Sequence, residues 1–241
     1  MIWTEQFQSR FVRAKKRAWA VSPKLMLVLH GRGDSYKPFL QLPEEMNLPE
    51  MNYLFLNAPR KYDGGYSWYG MEPNHEKGIL RSRSKLHHLM EELDLQGWQS
   101  ENIFMFGLSQ GCLMASDLVM TYDRPFAGLL GISGYVWFFP KWSAKVSGSA
   151  KRTPWIMTHG LEDMDIPIEE TRSQVKRLQK NGFSVEWLEM NKGHEVETQF
   201  EAPMLGGWVR NQVEKRLAYE ARHHRRRQRL ATGGLNPLVD L

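Results

Sequence analysis

Short apolar runs alternate with longer stretches of helical period along most of this 241-residue chain, and few architectures accept that alternation. Six runs read as strands, over 24–29, 53–56, 103–106, 126–132, 154–158 and 184–188. Their near-continuous hydrophobicity suits strands covered on both faces. Leu86, Leu89, Met90 and Leu93 recur at i, i+3, i+4 and i+7, so a helix over about 76–95 has one apolar face, and Gly97 stops it. Further helices are expected just after Ser109, over about 168–181 with Gly182 as its stop, and over about 197–216 with continuation into the tail. Strands alternating with helices form βαβ units, so the expected class is α/β, with a mostly parallel central sheet and helices on both faces.

Charge divides the chain. The net +5 would ordinarily raise nucleic acid or an anionic membrane as a partner. Residues 1–20 carry five Lys/Arg against one acid, and residues 215–241 carry seven against two, which leaves about −4 for the stretch between. We therefore expect one domain over 21–217, a basic N-terminal extension over 1–20 and a basic C-terminal tail over 218–241. No internal repeat is seen. The apolar run ending at Leu29 is too short for a membrane span or a signal-peptide core, and it leads into His30-Gly31 rather than a small-residue cleavage site. The only cysteine, Cys112, excludes an intrachain disulfide and suits a reducing compartment, so a cytoplasmic location is expected.

The chemistry gathers around Gly107-Leu108-Ser109-Gln110-Gly111, which follows one apolar run and precedes a helix. In that frame Gly-x-Ser-x-Gly is a nucleophile elbow, a sharp turn that exposes the serine above the sheet edge. A serine hydroxyl needs a base, and the base needs an orienting acid, here in the order Ser, acid, His. Glu162, Asp163 and Asp165 lie in the loop after the fifth run, and any of them meets the requirement. His194 lies in the loop after the sixth and is the histidine that fits both order and loop. The oxyanion that develops on the carbonyl needs amide donors: one is the Gln110 N–H, the other comes from the loop His30-Gly31-Arg32-Gly33-Asp34.

Five blocks taken together carry a resemblance: His30 to Asp34; Gly65-Tyr66-Ser67-Trp68-Tyr69; Gly107 to Gly111; His159-Gly160-Leu161-Glu162-Asp163 with Pro167; and Gly193-His194. The chain resembles the α/β-hydrolase carboxylesterases grouped with phospholipases and acyl-protein thioesterases, in their compact bacterial serine esterase branch. The resemblance spans about residues 24–210 and implies an α/β-hydrolase fold without a large lid domain. It implies Ser109, Asp163 and His194 as the triad, Arg32 and Gln110 as the oxyanion amides, and neither metal nor cofactor. Arg32 stands where many relatives carry an aliphatic residue. Its guanidinium either favours an acidic substrate or turns to solvent or a nearby acid.

The implied reaction is hydrolysis of carboxylic esters of short to medium acyl chain, with acyl-protein or acyl-CoA thioesters as the alternative. Tyr66, Trp68, Tyr69 and Trp137 are candidates to line the acyl pocket, with core packing the other assignment for each ring. About 20 residues separate Gly134 from the next strand, so the site is expected to be open and shallow. The expected partner is a small ester or thioester, and the chain a monomer or homodimer. A different class of reading makes the basic ends a binder of nucleic acid or anionic membrane.

Overall fold

The computed structural model describes residues 2–15, 23–71, 73, 75–139 and 142–232. Its strands are β1 (Ser9–Val12), β2 (Leu25–Leu29), β3 (Asn52–Leu56), β4 (Arg60–Tyr62), β5 (Gly65–Ser67), β6 (Ile103–Leu108), β7 (Gly128–Ile132), β8 (Trp155–Gly160) and β9 (Val185–Met190). Its α-helices are α1 (Leu42–Glu45), α2 (His75–Leu95), α3 (Gln110–Thr121), α4 (Trp142–Lys145), α5 (Ile168–Lys180) and α6 (Glu201–Thr232). The six expected strands and four expected helices are all present, within a few residues at most ends. The last helix runs through Thr232 and so includes much of the basic tail; residues 233–241 lie outside the described residues.

Seven strands form one sheet in the order β1-β3-β2-β6-β7-β8-β9, parallel throughout except for β1, which pairs antiparallel with β3. β4 and β5 make a separate hairpin. Alternation along each strand splits the core into two layers. Leu25, Leu27 and Leu29 join the layer of α2, α3 and α5, whereas Met26 and Val28 join that of α1 and α6. Strands apolar on both faces therefore read as unbroken runs.

β1 corrects the expected N-terminal boundary. Residues 2–12 belong to the body: Ile2 and Phe7 are buried, and Ser9 to Val12 pair with Leu56 to Tyr53. This edge strand has charged side chains at Arg10 and, just beyond it, Arg13, which protect an exposed edge from foreign pairing but make the segment read as a polar extension.

From β2 the chain moves to β3 on one side, then crosses to β6 on the other side of β2. Loops leaving the carboxyl ends of β2 and β6 thus diverge at a topological switch point, where open α/β sheets form their crevices.

Candidate active site

The turn between β6 and α3 is forced by contact. A side-chain carbon on Gly107 would strike the carbonyl of Gly111, and one on Gly111 would strike the carbonyl of Leu29, so both positions must be bare. Ser109 between them has φ 55° and ψ −118°. A non-glycine residue at positive φ is strained, and the strain holds the side chain above the sheet edge. Ser109 N–H donates to Ile132 O at 3.0 Å, pinning the elbow to β7. On the other flank, Gly31 lies close enough that an added carbon would sit 3.5 Å from Ser109 Cβ.

The Gln110 side chain locks this turn to the segment that follows β5. Its Oε1 accepts from Trp68 N–H at 3.0 Å and Ser67 Oγ at 3.1 Å, and its Nε2 donates to Tyr69 O at 3.0 Å. The loop after β2 is held by His30, whose Nδ1 donates to Gly31 O at 2.6 Å while Nε2 accepts from Ala58 N–H at 3.0 Å. Burial keeps this ring's pKa low, consistent with a neutral tautomer fixed by those two partners.

At the far side of the sheet edge, His194 Nδ1 meets Asp163 Oδ2 at 2.8 Å. Asp163 Oδ1 accepts from the amides of Asp165 at 3.0 Å and Ile166 at 2.9 Å, and His159 Nε2 lies 3.2 Å from Oδ2. Burial pushes the Asp163 carboxyl up, but the His194 hydrogen bond and the two amides outweigh it and hold the group below the usual carboxylate value. Among the three acids of this loop, Asp163 is the one bonded to His194; Glu162 and Asp165 are exposed. Asp163, Asp165 and His194 also place ligand-type atoms within 4.8 Å of one another, the one such cluster found among the described residues. The Asp163 oxygens are already taken by the imidazole and the two amides, which is a hydrogen-bonded pair rather than an open ligand set.

Ser109 and His194 line a single cavity of about 710 Å³ with no direct hydrogen bond between them. That volume falls within the roughly 300–1,000 Å³ of small-molecule pockets. The apolar lining includes Phe39, Leu42, Met71, Leu108, Tyr135 and Val196. Phe39 and Leu42 belong to a short 3-10 turn (Pro38–Gln41) and α1, which lie shortly after the loop His30 to Asp34 and were not singled out from the sequence. Their signal was the apolar i, i+3 spacing of those two residues beside a proline.

The four aromatics expected at the pocket are not among the residues that line this cavity. Trp68 is buried in the core with its Nε1 donating to His30 O, and Tyr69 is buried with its hydroxyl 2.7 Å from that of Tyr135. Tyr66 bonds Gln8, and Trp137 lies against the Arg83 guanidinium. Arg32 is exposed at the cavity, its guanidinium beside Met71 and 5.7 Å from the centre of the Tyr62 ring. Asp34, Glu45, Asp165, Glu170 and Glu195 share that lining, so the one guanidinium expected to favour an acidic substrate is outnumbered.

The parallel sheet, the strained serine elbow and the acid and histidine loops at the same sheet edge define an α/β-hydrolase fold. The family model described as Phospholipase/Carboxylesterase matches residues 12–202, and the chain belongs to that family. It is 30% identical over 169 residues to "Acyl-protein thioesterase 1" of Schizosaccharomyces pombe, a match covering 65% of this chain and 75% of the relative. A rice protein named a probable inactive carboxylesterase is 30% identical over 135 residues, covering 56% and 55% of the two chains. The crystal structure of Arabidopsis thaliana SOBER1 superposes with a TM-score of 0.73 at 24% identity, covering 80% of this chain and 100% of that one. The protein is accordingly a hydrolase of the carboxylesterase and thioesterase kind. No helix among the described residues is long and apolar enough to cross a membrane.

Proposed function

We propose that the protein is a serine hydrolase that cleaves carboxylic esters of short to medium acyl chain through an acyl-enzyme, with Ser109, His194 and Asp163 as its triad. The observation that carries this reading is the 2.8 Å bond between His194 Nδ1 and Asp163 Oδ2, on a ring that shares its cavity with a serine at φ 55°. Because Nδ1–H donates to the carboxylate, Nε2 is left with its lone pair and serves as the base. It takes the Ser109 proton as Oγ attacks the carbonyl carbon. The oxygen, now anionic, receives hydrogen bonds from the Arg32 and Gln110 amides, the latter at the N-terminal end of α3. Protonated His194 then gives its proton to the departing alkoxide or thiolate, and water repeats the sequence to free the acid. Thioester cleavage on acyl-protein or acyl-CoA uses the same steps and is the second reading, favoured by the Schizosaccharomyces pombe relative. A single cysteine suits a reducing cytoplasm, and the Cys112 thiol is buried and pushed up to about 12 by that burial, which keeps it protonated and inert.

Labelling with a fluorophosphonate probe tests the reading, followed by p-nitrophenyl and thioester substrates of increasing chain length. Wild-type protein is labelled and Ser109→Ala is not. Equal labelling of the two overturns the assignment, and turnover of neither substrate class overturns the activity.

A further inference from the structure

Lys192 lies two residues before His194, yet its side chain is 1% exposed and lines no part of the cavity. An ammonium has three N–H donors, and each is taken. They go to Glu201 Oε2 at 2.9 Å, Glu195 O at 2.7 Å and Ser133 Oγ at 3.2 Å. Glu201, at the start of α6, is 0% exposed at its side chain and also accepts Glu197 N–H through Oε2 at 2.8 Å. Ser133, just past β7, is buried at φ 42°. The Lys192 carbonyl in turn accepts Glu162 N–H at 3.1 Å, one residue before Asp163.

The side chain therefore spans its own loop, closing a bracket around Gly193 and His194 and tying it to β7 and α6, while the backbone ties it to the acid loop. Replacing a buried ion pair by apolar side chains of similar volume is often neutral for stability, so stability alone does not account for Lys192 and Glu201. We propose that Lys192 is a positioning residue, which through Glu201 and Ser133 fixes the His194 loop where the base can reach Ser109. This rests on the reading of Ser109, His194 and Asp163 as the triad. Lys192 touches no substrate. Its charge is matched by Glu201, and it acts through geometry.

The test uses the full chain with Ser133→Ala and with the paired variant Lys192→Met/Glu201→Met, which leaves no lone buried charge. The readouts are melting temperature, fluorophosphonate labelling rate, and kcat and KM for p-nitrophenyl butyrate. Misplacing a catalytic group by about 1 Å costs on the order of 100-fold, so kcat should fall roughly 10- to 100-fold in the folded paired variant and roughly 3- to 10-fold in Ser133→Ala. KM should stay within about threefold in both, since neither variant alters the cavity lining, and labelling should slow in parallel with kcat. A melting shift with unchanged kcat would make the pair structural only and overturn the proposal. If the paired variant does not fold, Ser133→Ala decides alone, and unchanged kcat there overturns the proposal in the same way. Ser109→Ala, run beside them, separates the two questions: persistent labelling of that variant sinks the triad itself, whereas its loss together with wild-type kcat in the others sinks only the clamp.

Discussion

Asp163 is asked to do two things that pull against each other: stay ionised while covered, and hold an imidazole in one tautomer. Three donors reach it, from His194 and the amides of Asp165 and Ile166, and their combined effect lowers its pKa despite burial. A depressed folded-state pKa stabilises the fold above the unfolded value of about 3.8 and loses that contribution as pH falls through the lower folded value. Asp163→Asn should thus leave a melting-temperature deficit that is full near neutrality and shrinks as pH drops below about 4. It should also cut kcat by about 10³- to 10⁴-fold, because a carboxamide can present its NH₂ to Nδ1 and favour the wrong tautomer. Thermal melts between pH 2 and 7 and steady-state kinetics check both. At this scale the order of serine, acid and histidine was enough to single out His194, with the family pattern choosing among three acids. Side-chain direction was not legible: Trp68 and Tyr69 share the aromatic character of a pocket wall but turn into the core, and Lys192 reads as an ordinary loop lysine until its three partners are seen.

Elements, rather than single residues, decide much of the cavity's lining. The turn at Pro38–Gln41 and the one-turn α1 bring Phe39 and Leu42 into the lining of the cavity that Ser109 and His194 share. Pieces of four residues offer one i, i+3 pair and no repeat of it, which is why their role was hidden while the long α2 was plain in sequence. Leu42→Trp should fill part of the volume and lower kcat/KM for octanoyl relative to acetyl p-nitrophenyl ester by at least about tenfold, since a hydrophobic pocket discriminates by roughly 1–3 kcal/mol per step of fit. An unchanged ratio would place the acyl chain elsewhere. Behind the site, α2 and α3 are joined by Arg83 and Asp117 through contacts of 2.8 and 2.6 Å, with the guanidinium 4.9 Å from the centre of the Phe139 ring. Burial raises the Asp117 pKa even so, with Arg83 opposing it. Arg83→Met strands a covered carboxylate and should cost about 3–5 kcal/mol in urea unfolding, most of it recovered in Arg83→Met/Asp117→Leu.

For the molecule as a whole, charge suggested two dispensable basic ends, but burial makes them unequal. At the N-terminus, Ile2 and Phe7 are buried, Gln8 bonds Asn57 and Tyr66, and β1 covers the outer edge of β3. Burying each such apolar side chain contributes about 1.5–3 kcal/mol, and the lost strand would also uncover a hydrogen-bonding edge. At the C-terminus, Val213 is the last buried residue among those of α6 whose burial is described, and Leu217 packs only partly, after which residues 218–223 are exposed. Residues 221–241 carry five Arg against one acid, so removing them takes the net charge from +5 to +1. Deleting 221–241 should leave kcat/KM within about twofold and the melting temperature within about 2 °C, while deleting 2–14 should lower the melting temperature by more than about 8 °C or give insoluble protein. The same pair of deletions tests the polyanion reading of the tail. Retention on a heparin column that falls with salt and disappears with 221–241, with esterase turnover intact, would separate a binding appendage from the catalytic body. Loss of turnover on tail deletion would instead mean that α6 beyond Leu217 supports the Glu201 end of the site, and the division into body and appendage would fail.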